Sequence, residues 1–279
     1  MAPSLRTLAL LTRKELRDAW RNRWFLLYGT AFTVLALGLS WLGVTGVART
    51  GFAGAGRTAG SLVNLVILVV PLMGITLGAQ AIAADRERGS LLYLLAQPID
   101  TLEVVLAKFL GLTAAVTAAL LVGFGVTGMV MAGKGGFEQA APFLGFLGFA
   151  VLLGAASVGL GLLISALSAR ASMAAGVALF VWLGLLLLGD LGLMGTALTM
   201  KLEIRHLLAA ALVNPLQVFK LGALLVLRGG LEALGPAGLF AARTWGEQLV
   251  PLLASILAAW TLATVGGTAW VMQRKGGLE

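Results

Sequence analysis

Few side chains in this 279-residue chain could do covalent or acid–base chemistry. It has no cysteine and one histidine, His206. That removes thiol nucleophiles, cysteine metal sites and most histidine-based general-base or zinc arrangements. Gly128, Gly133, Lys134 and Gly135 have the spacing of a phosphate-binding loop. However, Gly135 stands where such a loop needs a hydroxyl for magnesium, and the stretch ends an apolar run instead of joining a strand to a helix. No nucleotide site is expected in this chain. Met129, Met131, Met194, Met200 and His206 are soft donors of the kind that hold copper(I). Methionine in an apolar bundle is more often a gap filler, so no metal site is assigned. Asp190 is the one acid at the edge of an apolar run. A charge at mid-membrane costs about 3 kcal/mol or more, so Asp190 is expected at a solvated helix end. Acids paired with bases at mid-span are missing, which argues against a membrane-embedded enzyme and a proton-coupled transporter.

The elements that carry these residues follow from composition. Hydrophobic residues make up 59% of the chain and charged residues 11%, with mean hydropathy +0.97. Soluble domains carry roughly a quarter charged residues, so this is an all-α polytopic membrane protein. The net charge of +8 gathers at the ends of apolar runs, where it sets orientation and meets lipid headgroups, not nucleic acid. Six uncharged runs reach the ~20 residues that a spanning helix needs. They predict spans at about 24–46, 61–83, 108–132, 143–167, 172–194 and 249–272. The first run is too long for the h-region of a signal peptide and is read as a retained span.

Residues 1–23 form a basic amphipathic stretch. Arg13, Arg17 and Arg21 recur every four residues beside Leu16, Trp20 and Trp24, with Lys14 among them. Such a helix lies in the interface, apolar face to the acyl chains and basic face to anionic headgroups. The N-terminal segment, Arg86, Arg88, Lys108, Arg170, Arg274 and Lys275 all fall on one face of the six-span layout. The positive-inside rule places that face, both termini and the tail 274–279 in the cytoplasm. The largest piece outside the spans, 196–247, is expected to hold two helices lying on the outer surface, 202–213 and 216–227, separated by Asn214 and Pro215, with a re-entrant segment as the less favoured alternative. Glycines within the spans, such as Gly74, Gly78 and Gly161, are read equally as close-packing positions and as composition bias.

The stretch 85–107 differs from everything around it. Asp85, Arg86, Glu87 and Arg88 come in a row, followed by Gly89, a short apolar piece (Leu91, Leu92, Tyr93, Leu94, Leu95) and Pro98. A second short amphipathic piece, Glu103 to Lys108, precedes the next apolar run. Six helical residues span only about 9 Å, so the leucines make a greasy knob on the water side, with Arg86, Glu87 and Arg88 as its charged rim. An apolar centre with a polar rim is how a docking surface is built.

These residues resemble the coupling segment of ABC-2 type permeases: Glu87 and Gly89 before a short leucine-rich helix, Pro98 after it, and Lys108 opening the next span. The basic N-terminal helix with Arg13, Lys14 and Glu15 and the six-span layout also match. The resemblance implies a homodimer of six-span subunits, each docked on a cytoplasmic ABC ATPase that binds ATP and magnesium, with no cofactor in this chain. Within the family, Arg13 to Asp18, Arg21 to Trp24, Ser40 to Gly43, and Asn214 with Pro215 resemble the NosY-type permeases of nitrous oxide reductase maturation. That likeness implies a periplasmic partner as well. An exporter of lipid, glycan, drug or peptide has the same fold and remains the alternative.

Overall fold

A computed structural model describes residues 5–50, 52–91, 100–135, 140–199, 204–227, 240–241 and 243–274. Among them the structure is helical, with no strand. The helices are α1 (Leu5–Arg21), α2 (Arg23–Thr50), α3 (Phe52–Glu87), α4 (Thr101–Gly135), α5 (Ala140–Leu167), α6 (Ala171–Thr199), α7 (Ile204–Val213), α8 (Pro215–Val226) and α9 (Leu249–Arg274). α2, α3, α4, α5, α6 and α9 are each long and apolar enough to cross a membrane. At 1.5 Å per residue they run about 39 to 54 Å, more than the ~30 Å hydrocarbon core.

α3 is the central pillar. Of its most apolar window 83% is buried, against 11% for α6. Its closest neighbour is α5, and small residues make the approach possible. A methyl group on Gly78 would come 2.5 Å from the Val158 carbonyl oxygen and 2.9 Å from the Cα of Gly161. One on Gly74 would come 2.8 Å from the Ser157 Cβ. Without a hydrophobic drive between helices in lipid, such backbone-to-backbone packing is what holds them together. Other glycines, Gly125 and Gly148 among them, face open space. Both readings of the glycines therefore apply, at different positions.

Several buried or half-buried hydroxyls in the spans bond back to the local helix, while those of Ser40 and Thr113 have no partner among the described residues. Thr76, Thr127, Ser157, Ser168 and Thr268 donate to the carbonyl four residues back, which removes the cost of an unpaired polar group in an apolar medium. A chain of edge-to-face rings fills the half of the core away from α1. Phe124 meets Phe32 and Phe146 at 5.2 Å and Phe143 at 5.6 Å, joining α2, α4 and α5.

Three expectations are corrected. First, α8 does not lie on a surface. Pro215 to Phe219 and Leu221 to Leu224 are buried, and Gly222 sits against the Phe149 ring of α5. The Asn214 amide donates to the Leu185 carbonyl of α6 at 2.7 Å, and its oxygen caps the Leu216 N–H at 3.0 Å. Leu185 lies 14 residues into α6, about 21 Å along it. The α7–α8 corner therefore dips into the bundle as a re-entrant hairpin, where an asparagine cap and a proline at the first helical position satisfy the backbone. Second, Asp190 does not end a helix, because α6 continues to Thr199. Third, Glu103 to Lys108 is no separate piece but the first turns of α4. Its start is a capping box: Asp100 accepts from the Leu102 N–H while Glu103 reaches back to the Asp100 N–H, both at 3.4 Å. The phosphate-loop lookalike, Gly128 to Gly135, is helical, within α4.

Candidate functional site

The α1 end of the bundle is assembled around one lysine. Lys108, in the second turn of α4, is 2% exposed and donates to Glu15 of α1 at 2.9 Å and to Asp85 of α3. Lys14 approaches Glu15 from the rim at 3.4 Å. Two cations and two anions thus balance where three helices converge. A buried charge is tolerated only when paired in this way.

Gly111 explains how α1 comes close enough. It lies one turn beyond Lys108 on the same face of α4. A methyl group there would come 2.6 Å from the Glu15 Cβ and 2.8 Å from the Thr12 carbonyl oxygen. The glycine lets the α1 backbone rest on α4, which delivers Glu15 to Lys108. α1 therefore has three faces. Glu15 and Ala19 are buried; Arg13, Arg17 and Arg21 are exposed; Trp20 is 42% exposed, and Trp24, at the start of α2, 62%. Arg13, Arg17 and Arg21 have no ion-pair partner among the described residues. The interfacial helix expected from the sequence is thus also anchored on protein. Asn22 makes the elbow to α2: its carbonyl accepts from Leu26 and its side chain from the Trp24 N–H at 3.0 Å.

The last turn of α3 is tied equally firmly on its other side. Arg86 Nη1 donates to the Ser168 carbonyl at 2.7 Å. Glu87 accepts from the N–H of Ala171, the first residue of α6, at 3.0 Å, where a carboxylate suits the positive end of a helix. One turn earlier, the Ser165 hydroxyl of α5 accepts from the Ile82 and Ala83 N–H groups at 3.0 and 2.8 Å. Gly89 then stops the helix at φ +71°, a left-handed conformation that glycine adopts without a Cβ penalty. Ser90 folds back to Asp85, its hydroxyl 3.0 Å from Oδ1.

These bonds alter the reading of the segment. Asp85, Arg86 and Glu87 are not a free charged rim but the last turn of α3, each committed to a neighbour; of the four charges, Arg88 is exposed and outside these ties. Leu91 is not part of an exposed knob: it is fully buried in the main core. Leu92, Leu94, Leu95 and Pro98 lie outside the described residues, as does Met200. So do the side chains of Met129, Met131 and Met194, while His206 is exposed. Gly111, Ser165 and Ser168 were not picked out from the sequence, Glu15 only as the end of the Arg13–Lys14–Glu15 motif, and Lys108 only as a marker of the next span. The available signal was a lone lysine and a glycine three apart at the entry of an apolar run.

The cluster holds α1, α3, α4, α5 and α6 to one short stretch of chain. The family model described as ABC-2 family transporter protein matches residues 9–275. A Pseudomonas aeruginosa protein described as "Probable ABC transporter permease protein NosY" is 34% identical over 217 residues, covering 76% of this chain and 79% of the relative. A Stutzerimonas stutzeri protein of the same description is 32% identical over 262 residues, 92% of each chain.

Proposed function

The chain belongs to the ABC-2 transporter family, and from that premise we propose that it is a multi-pass permease subunit driven by a separate cytoplasmic ABC ATPase through residues 85–107. The observation that carries this reading is the bonding of the last turn of α3. A partner pressing on the segment after Gly89 pushes on Asp85, Arg86, Glu87 and buried Leu91, and through them on five helices at once. A greasy loop resting on lipid would have no use for such anchorage. Leu92, Leu94 and Leu95 supply the apolar side chains for docking, while buried Leu91 belongs to the core.

In this reading ATP and magnesium belong to the partner, two copies of the chain form the membrane unit, and both termini are cytoplasmic. The finer assignment is service to nitrous oxide reductase maturation with a periplasmic partner. It is supported by the short motifs around Arg13, Arg21, Ser40 and Asn214 and by two relatives whose descriptions carry the NosY name. The test is co-expression with the proteins encoded beside it, then purification through a tag on this chain. The ATPase should co-purify in equal amount and be lost from the L94D/L95D variant, with membrane insertion intact. Unchanged co-purification would refute docking at this segment, and a periplasmic protein in the same eluate would identify the branch.

A further inference from the structure

A second feature lies at the α1–α2 elbow. A half-enclosed cleft of about 270 Å³ lies between the α1–α2 elbow, α3 and α6, lined by Asn22, Trp24, Phe25, Tyr28, Thr76, Leu77, Gln80, Ala175 and Leu179. Trp24 and Leu179, 62% and 47% exposed, stand at its edge. It therefore opens on the perimeter of the bundle.

Its depth is fixed by residue counts. Tyr28 is five residues into α2, Ala175 four into α6, and Gln80 seven from the end of α3. At 1.5 Å per residue these sit roughly 6 to 11 Å from the helix ends. That is the level of headgroup and ester, where tryptophan and tyrosine collect. The lining mixes apolar side chains with the polar ones of Asn22, Tyr28, Thr76 and Gln80. The Tyr28 hydroxyl and the Gln80 side-chain amide have no hydrogen-bond partner among the described residues, whereas the Thr76 hydroxyl is satisfied by the Leu72 carbonyl at 2.6 Å. Arg21 and Arg23, exposed and without an ion-pair partner among the described residues, flank Asn22 at the elbow.

We propose that this cleft seats the neck of an anionic glycerophospholipid from the leaflet that meets α1. The phosphate lies by Arg21 and Arg23, Tyr28 and Gln80 donate to the ester carbonyls, and the first methylenes pack on Phe25, Leu77 and Leu179. Too small for a whole lipid, the cleft leaves the acyl chains in the bilayer. Charge decides the lipid class: four arginines within eleven residues, Arg13, Arg17, Arg21 and Arg23, favour an anionic headgroup over a zwitterionic one.

Native mass spectrometry of the full chain in mild detergent, titrated with phosphatidylglycerol or phosphatidylcholine, tests this. One phosphatidylglycerol per chain should be retained. R21Q/R23Q should bind it about tenfold more weakly or worse, with phosphatidylcholine unaffected. Y28F/Q80L should weaken both lipids about tenfold, two hydrogen bonds being lost. A175W, which fills the cleft and removes no polar group, should abolish retention. A wild-type chain that retains no lipid, or variants that retain it equally, would overturn the proposal. So would efficient disulfide cross-linking of Q80C between two chains in membranes, because a second copy would then occupy the cleft. None of these readings involves the ATPase, so this proposal and the docking reading fail independently.

Discussion

Lys108 and Glu15 stand 93 residues apart in the chain and 2.9 Å apart in the fold, with both side chains almost fully withdrawn from water. An amphipathic helix that merely floated on lipid would not place Glu15 on a buried lysine. The pair fixes α1 to α4, and Asp85 extends it to α3.

Removing the lysine should therefore be far worse than removing a surface charge. Lys108→Ala leaves Glu15 and Asp85 close together with only the half-exposed Lys14 to offset them. A loss of about 3–5 kcal/mol is expected, as for other broken buried pairs. Lys14→Ala, at the half-exposed rim, should cost under about 1 kcal/mol. Thermal unfolding in detergent measures both, and equal losses would show that the cluster is not the anchor.

Close helix approach predicts a split among the glycines. Gly111→Ala drives a methyl group into Glu15 and the Thr12 carbonyl, and Gly78→Ala drives one into the Val158 carbonyl. Each should destabilise by about 1–3 kcal/mol, the usual cost of overpacking. Gly125→Ala meets nothing within 4 Å and should leave the melting temperature unchanged or raise it. Protease cutting within α1 should increase in the Gly111 variant alone.

At the re-entrant corner, Asn214→Ala loses the bond to Leu185 and the cap on Leu216. Loss of the cap alone is worth about 1 kcal/mol, and the unpaired Leu185 carbonyl adds to it. Asn214→Asp keeps the cap but not the donor, and should fall between the two in melting temperature.

Topology can be read directly because the chain has no cysteine of its own. Arg88→Cys and Gly235→Cys should be labelled by an impermeant maleimide from opposite sides of the membrane, with Arg88→Cys reached only after the cells are opened. Labelling of both from one side would overturn the orientation.

The six long helices were legible because uncharged runs of spanning length leave few other structures open to a chain in lipid. The site was only partly legible. Asp85, Arg86, Glu87 and Gly89 stood out by contrast with the runs around them, but their partners could not. Glu15 and Ser168 come from remote sequence, and a serine before a loop looks like any other. Leu91 was misread because a short apolar stretch after a glycine does not reveal whether it faces the core or a partner. α8 was misread because Lys220 breaks its apolar run, while its burial depends on Asn214 and Gly189 meeting across two helices.

The buried position of Lys108 also separates the charges of α1 into two kinds by their response to ionic strength. The Debye length is about 8 Å at physiological ionic strength, so counterions crowd Arg13, Arg17 and Arg21 and weaken their hold on headgroups. No counterion reaches the Lys108–Glu15 contact. Concentrated salt should thus release lipid from the basic face while α1 stays seated on α4, which makes it a reagent for washing this helix without dislodging it.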